Sequence, residues 1–174
     1  DMDAKMEKEY MKGGEFLIAD QTTAEVFTPE DFTDEHRMIG DTCREYIDNE
    51  VVPNLPRLEA HEWDVARDLV KKEGELGLLG ANIPEEFGGM ALDQTSGCII
   101  AEMVGRGSGF GSTYGAQTSI GLLPILYWGS DELKKEWIPK IISGEVVSAY
   151  CLTESGSGSD ALGAKCVAKL SGDG

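Results

Sequence analysis

From Phe32 onward, apolar residues return every three or four positions, at Ile39, Cys43, Tyr46, Ile47 and Val51. That is the spacing of one buried face of an α-helix. Thr28-Pro29-Glu30-Asp31 reads as its start, with Thr as cap, Pro at the first helical position and acids at the positive end of the dipole. Pro53 reads as its stop. A second helix is predicted from Asp64 as cap, with Val65, Leu69, Val70 and Leu76 on one face and Gly77 as terminator. Residues 78–89 carry Pro84 and Gly88-Gly89 and are predicted to be a loop. Asp93 opens a third helix through Ile99, Ile100, Met103 and Val104, which Gly105, Gly107, Gly109 and Gly111 interrupt.

Residues 110–128 are nearly uncharged, a pattern expected in the middle of a helical domain or against a bound ligand. Trp128 and Trp137 are read as core, and His36 and His61 as surface residues without a role. Ser130-Asp131-Glu132 starts a further helix, with Leu133, Trp137 and Ile141 spaced for burial and Gly144 at its end. Only then do strand-like runs appear, at 146–152 and at 164–170, the second leading into a turn-like Ser171-Gly172-Asp173-Gly174. The pattern is therefore mainly α: an arm over 1–27 with one apolar patch at Phe16-Leu17-Ile18, a helical domain over 28–145, and the start of a β domain over 146–174. Two strands cannot bury a face, so a C-terminal truncation is expected.

Composition narrows the partners. A net charge of -17 argues against nucleic acid or an anionic membrane surface, and no apolar run approaches the ~20 residues of a membrane-spanning helix. The N-terminus lacks a basic-then-apolar secretory layout, and Cys43, Cys98, Cys151 and Cys166 show neither metal-site nor disulfide spacing. The expectation is a cytoplasmic protein in a reducing compartment, with no bound metal.

The densest chemistry lies in Tyr150-Cys151-Leu152-Thr153-Glu154-Ser155-Gly156-Ser157-Gly158-Ser159-Asp160. Glycines let main-chain N–H groups approach a ligand, and the serine hydroxyls add donors suited to phosphate oxygens. Gly156, Gly158 and Ala161 satisfy the spacing of a dinucleotide fingerprint, but Gly163 and the strand-like residues after it leave no room for the helix that fingerprint needs. There is neither a P-loop nor a Gly-x-Ser-x-Gly elbow. A plain Gly/Ser turn in a helical interaction module is the bland alternative, in which Glu154 and Asp160 are turn acids or local backbone caps.

This segment resembles the signature of acyl-CoA dehydrogenases, which runs Thr-Glu-x-x-x-Gly-Ser-Asp after a small and an aliphatic residue. Pro84-Glu85-Glu86-Phe87-Gly88-Gly89 is similar to that family's Pro-Glu-x-x-Gly-Gly loop. The resemblance covers about residues 28–174, and Ser155 departs from it where many members carry Pro. It implies an N-terminal helical bundle followed by the first strands of a β-barrel domain. It also implies FAD as cofactor and α,β-dehydrogenation of an acyl-CoA thioester, with the α-proton taken by a carboxylate and the β-hydrogen passing as hydride to flavin N5.

The resemblance places Tyr150, Cys151, Leu152 and Thr153 along the flavin, Gly158 and Ser159 at the pyrophosphate, and Ser159 also at the substrate. The catalytic base would lie beyond Gly174, so the chain alone is expected to be inactive and to bind FAD weakly. Electron-transfer flavoprotein and a homo-oligomeric assembly are implied partners. A related acyl-CoA oxidase or flavin monooxygenase stays open. The arm leans towards long-chain members.

Overall fold

A computed structural model describes residues 10–20, 26–169 and 171–172. The remaining stretches of the expected arm, and the end of the expected second strand with half of its turn, lie outside the described residues. The chain is mostly helical, as its pattern predicts. Seven α-helices occur among the described residues: α1 Asp34–Tyr46, α2 Leu55–Glu59, α3 Trp63–Glu75, α4 Gln94–Val104, α5 Phe110–Gly115, α6 Leu123–Trp128 and α7 Asp131–Ile142.

The first predicted helix starts later than its sequence suggests. Thr28 and Asp31 form a capping box around a single 3-10 turn, Pro29–Asp31. Thr33 then caps α1, its hydroxyl accepting from the His36 amide. Two competing caps lie five residues apart, and the later one begins where the apolar spacing becomes continuous. Nor does Pro53 stop the run. A π-helical stretch, Ile47–Val51, passes into a 3-10 turn, Val52–Asn54, in which proline occupies an early position that needs no N–H bond.

The core forms where α1 lies along α4 and where α3 and α7 pack on the Leu78–Gly80 turn. Cys43, Ile47, Val70, Leu78, Ile100 and Ile138 are among its most buried members. Each such aliphatic side chain contributes about 1.5–3 kcal/mol when fully buried. Asp93 caps α4 and Ser130 caps α7, both as their sequences predict. The α3 and α7 ends approach backbone to backbone. A Cβ at Gly74 would lie 2.2 Å from the Ser143 carbonyl oxygen, and one at Gly144, at φ +72°, would lie 2.6 Å from Lys71 Cα. Part of the arm docks on this body through ring contacts from Tyr10 to Phe27 and from Phe27 to Phe32.

Several side chains differ from expectation. His36 is buried: its Nδ1 accepts from the Thr33 amide, so Nε2 donates to Asp93 Oδ2 at 2.9 Å. It joins the N-terminal ends of α1 and α4, a pairing that spans 57 residues and is invisible to local periodicity. His61 is exposed and stacks on Trp63. Trp128 is 80% exposed and not core, because α6 is short and carries it at its outer end; Trp137 is half-buried. Leu133, expected inside, is exposed in the first turn of α7, and Ile138 and Ile142 take up the burial beside Ile141.

The strand-like residues form no ladder among the described residues. The single β-bridge pairs Glu154 with Ser157. Strand propensity needs a neighbouring strand for its main-chain groups, and residues 147–153 have none here.

Candidate functional site

Two features converge on the stretch from α5 to the Gly/Ser loop. The first is an open cleft of about 630 Å³ between the 78–83 turn, α4, α5 and α6. Ile83, Ala101, Tyr114, Thr118, Leu126 and Tyr127 are among the residues on its walls. No Asp, Glu, His, Lys or Arg lines it, so it offers no carboxylate or imidazole base, and its walls mix apolar side chains with small polar ones. The Ile83–Gly89 turn shapes one wall. A Cβ at Gly89 would lie 2.0 Å from the Ile83 carbonyl oxygen, so only glycine lets this turn close.

The second feature is the loop itself. Glu154 and Ser157 exchange main-chain hydrogen bonds of 3.0 and 3.1 Å, and the buried Ser157 hydroxyl donates to the Asp160 carbonyl at 2.6 Å. The Glu154 carboxylate accepts from the amides of Lys165 and Cys166 at 2.8 and 2.9 Å. Those two amides hold its carboxyl below the usual range. Glu154 therefore acts as a local backbone cap, and it ties the loop to the segment that follows.

Around this clasp the sequence-predicted residues stand outward. Tyr150, Cys151, Leu152, Thr153, Gly158 and Ser159 are all exposed, Tyr150 by 51%. Ideal Cβ positions at Gly156 and Gly158 meet nothing within 4 Å. The backbone there is open to an approaching ligand, with the Thr153 and Ser159 hydroxyls beside it.

Loop and cleft do not share a wall among the described residues; they are joined through Gln117. This fully buried amide donates to the carbonyls of Ile141 (2.8 Å) and Val146 (2.7 Å) and accepts from the Ser148 amide (2.7 Å). Sequence reasoning missed it. The available signal was an amide side chain inside an almost uncharged, ligand-like run.

Glu73 was missed as well. It is fully buried on α3, neither of its carboxylate oxygens has a hydrogen-bond partner, and burial pushes its carboxyl up to about 8. The Cys43 thiol is pushed up to about 12, first by its own burial and then by Glu73. All four cysteines are free, and no three His, Cys, Asp or Glu side chains among the described residues are grouped to hold a metal ion. No helix among them is long and apolar enough to cross a membrane.

Comparison with known proteins bears on both features. The family described as acyl-CoA dehydrogenase, N-terminal domain, matches residues 33–145. A probable acyl-CoA dehydrogenase of Bacillus subtilis (strain 168) is 51% identical over 167 residues, which is 96% of this chain and 28% of the relative. A crystal structure of an acyl-CoA dehydrogenase complexed with FAD from Bacillus anthracis superposes with a TM-score of 0.82 at 54% identity, over 89% of this chain and 26% of that one. The electron transferring flavoprotein of Acidaminococcus fermentans is similar at a TM-score of 0.75 and 34% identity, over 84% of this chain and 38% of that one. The chain thus spans little more than a quarter of the length of its Bacillus relatives.

Proposed function

We propose, because the chain belongs to the acyl-CoA dehydrogenase family, that residues 150–160 hold one side of an FAD and that the helical cleft receives the acyl part of a thioester substrate. On this reading residues 28–145 are the helical domain and 146–174 open a β domain. The observation that carries it is the clasp of Glu154 and Ser157, which turns Gly156, Gly158 and Ser159 outward with free space around them.

The residues fit the group. Outward glycines admit a diphosphate to main-chain amides, and hydroxyls at 153 and 159 can donate to ring and phosphate oxygens or nitrogens. Tyr150 and Leu152 offer exposed apolar surface for a flat ring. FAD bound there would supply a two-electron acceptor for the β-hydrogen of the thioester. The chain's own contribution is positional. Thr153 donates a hydrogen bond at the ring, Ser159 contacts phosphate and substrate, and the cleft excludes water along the acyl chain.

Since no carboxylate lines the cleft, the carboxylate base that takes the α-proton comes from residues other than these walls. We place it outside the 174 residues, which leaves this chain inactive and a weak FAD binder on its own. Electrons would leave to an electron-transfer flavoprotein.

Thr153→Ala and Ser159→Ala in the full-length protein test the reading. Each should raise the FAD dissociation constant about tenfold. The urea midpoint of the protein stripped of flavin should stay put, because both side chains are exposed. A wild-type protein that purifies colourless and ignores added FAD would overturn it.

A further inference from the structure

The stretch from α5 through the π-helical turn Ala116–Ile120 serves two surfaces at once. Tyr114, Gly115, Thr118 and Ser119 line the cleft, while Gln117 is buried against the C-terminal end of α7 and the segment that leads to the flavin loop. Both of its amide protons are used, on Ile141 and Val146. Its oxygen accepts from the Ser148 amide, and the Ser148 hydroxyl lies 3.2 Å from that oxygen and 3.3 Å from the Gln117 main-chain oxygen.

The Ser148 side chain also lies against Gly121. A Cβ on Gly121 would lie 2.5 Å from Ser148 Oγ. Beyond Ser148 no main-chain hydrogen bond forms among the described residues until Glu154. Residues 149–153 therefore hang between two anchors, Ser148 on the helical domain and Glu154 in the loop clasp.

We propose that Gln117 is the positioning residue that fixes where the 146–153 segment leaves the helical domain, and so sets the flavin-contacting residues against the wall of the acyl cleft. This rests on the flavin reading of residues 150–160. The amide suits the task because one side chain must give two hydrogen bonds and take one, which neither a carboxylate nor an apolar isostere can do. An extended segment that slips by one residue turns every side chain to the opposite face, so a fixed register at Val146 and Ser148 decides whether Thr153 faces the ring. A π-helical turn at this point is in keeping with a functional position.

The test combines hydrogen–deuterium exchange with FAD titration of the full-length protein, wild type against Gln117→Leu and Ser148→Ala. In Gln117→Leu, the Val146 and Ser148 amides, which are hydrogen-bonded in the wild type, should exchange roughly tenfold to a hundredfold faster, and FAD should bind at least about tenfold more weakly, with α1 and α4 amides unchanged. Ser148→Ala removes only the hydroxyl contacts and should give a smaller change, about threefold, confined to the same amides. It decides the matter if Gln117→Leu loses protection throughout.

Unchanged exchange at the Val146 and Ser148 amides in both variants overturns the proposal. So does faster exchange with unaltered FAD affinity, since the pin would then hold a segment the flavin does not need. A wild-type protein that binds no FAD overturns the flavin reading and this proposal with it; wild-type binding matched by Gln117→Leu overturns the proposal alone.

Discussion

Glu73 makes the stability of this domain fall as pH rises through neutrality. Its carboxyl is fully buried on α3, both oxygens lack a partner, and burial lifts its ionisation from the ordinary 4.5 to about 8. Below pH 4.5 the group is protonated in folded and unfolded chains alike and has no effect. Above it the unfolded chain ionises first. That shift favours unfolding by about 1.4 kcal/mol for each pH unit until the folded carboxyl also ionises.

The burden reaches about 3 kcal/mol at pH 7 and about 5 kcal/mol above pH 8. For a domain of this size, 3 kcal/mol corresponds to about 6–12 °C in Tm. Glu73→Gln abolishes the titration. Its buried amide carries a penalty of its own, about 1–3 kcal/mol, but one that does not vary with pH.

The decisive quantity is therefore the slope. Urea unfolding of wild type and Glu73→Gln at pH 5, 6, 7 and 8 should show the variant gaining on wild type by about 1.4 kcal/mol per pH unit, then levelling off. Glu73→Leu should follow the same slope from a higher starting point. A difference between wild type and Glu73→Gln that stays flat from pH 5 to 8 would mean the carboxylate is solvated or paired in the folded state, and the argument would fail.

Two further outcomes follow from the packing. Gly74→Ala should destabilise the domain by about 3 kcal/mol or more in urea melts, because its Cβ would meet the rigid Ser143 carbonyl at 2.2 Å; a loss below about 1 kcal/mol would show that α3 and α7 separate freely. Asp93→Ala removes the α4 cap and leaves the buried His36 Nε2–H without its acceptor, for a combined loss of about 2–4 kcal/mol at pH 7. Burial alone would raise the Asp93 carboxyl, but the Ser96 amide, His36 and the Ser96 hydroxyl together hold it below its ordinary value. The wild-type advantage should therefore be present above about pH 4 and fade as pH falls through the lower folded value, which acid titration of both proteins would show.

Much of the helical layer was legible in the chain. The spacing of Ile39, Cys43 and Tyr46, the caps Asp93 and Ser130, and the terminating Gly77 and Gly144 each encode their element through interactions within a few residues. So does the Gly/Ser loop, whose clasp closes between Glu154 and Ser157. The motif reading of the family also lived there, in short runs whose residue types are set by what backbone and ligand can tolerate.

What the chain could not announce depends on groups brought together from far apart. His36 is buried only because Asp93 arrives 57 positions later, and Gln117 finds its partners at 141, 146 and 148. Glu73 looked like any acid on an amphipathic helix until α3 turned it inward, where no hydrogen-bond partner meets it. Periodicity reports which face of an element is apolar. Which polar groups that face must accommodate is decided only when the elements pack, because desolvation and hydrogen bonding are properties of the assembled interior.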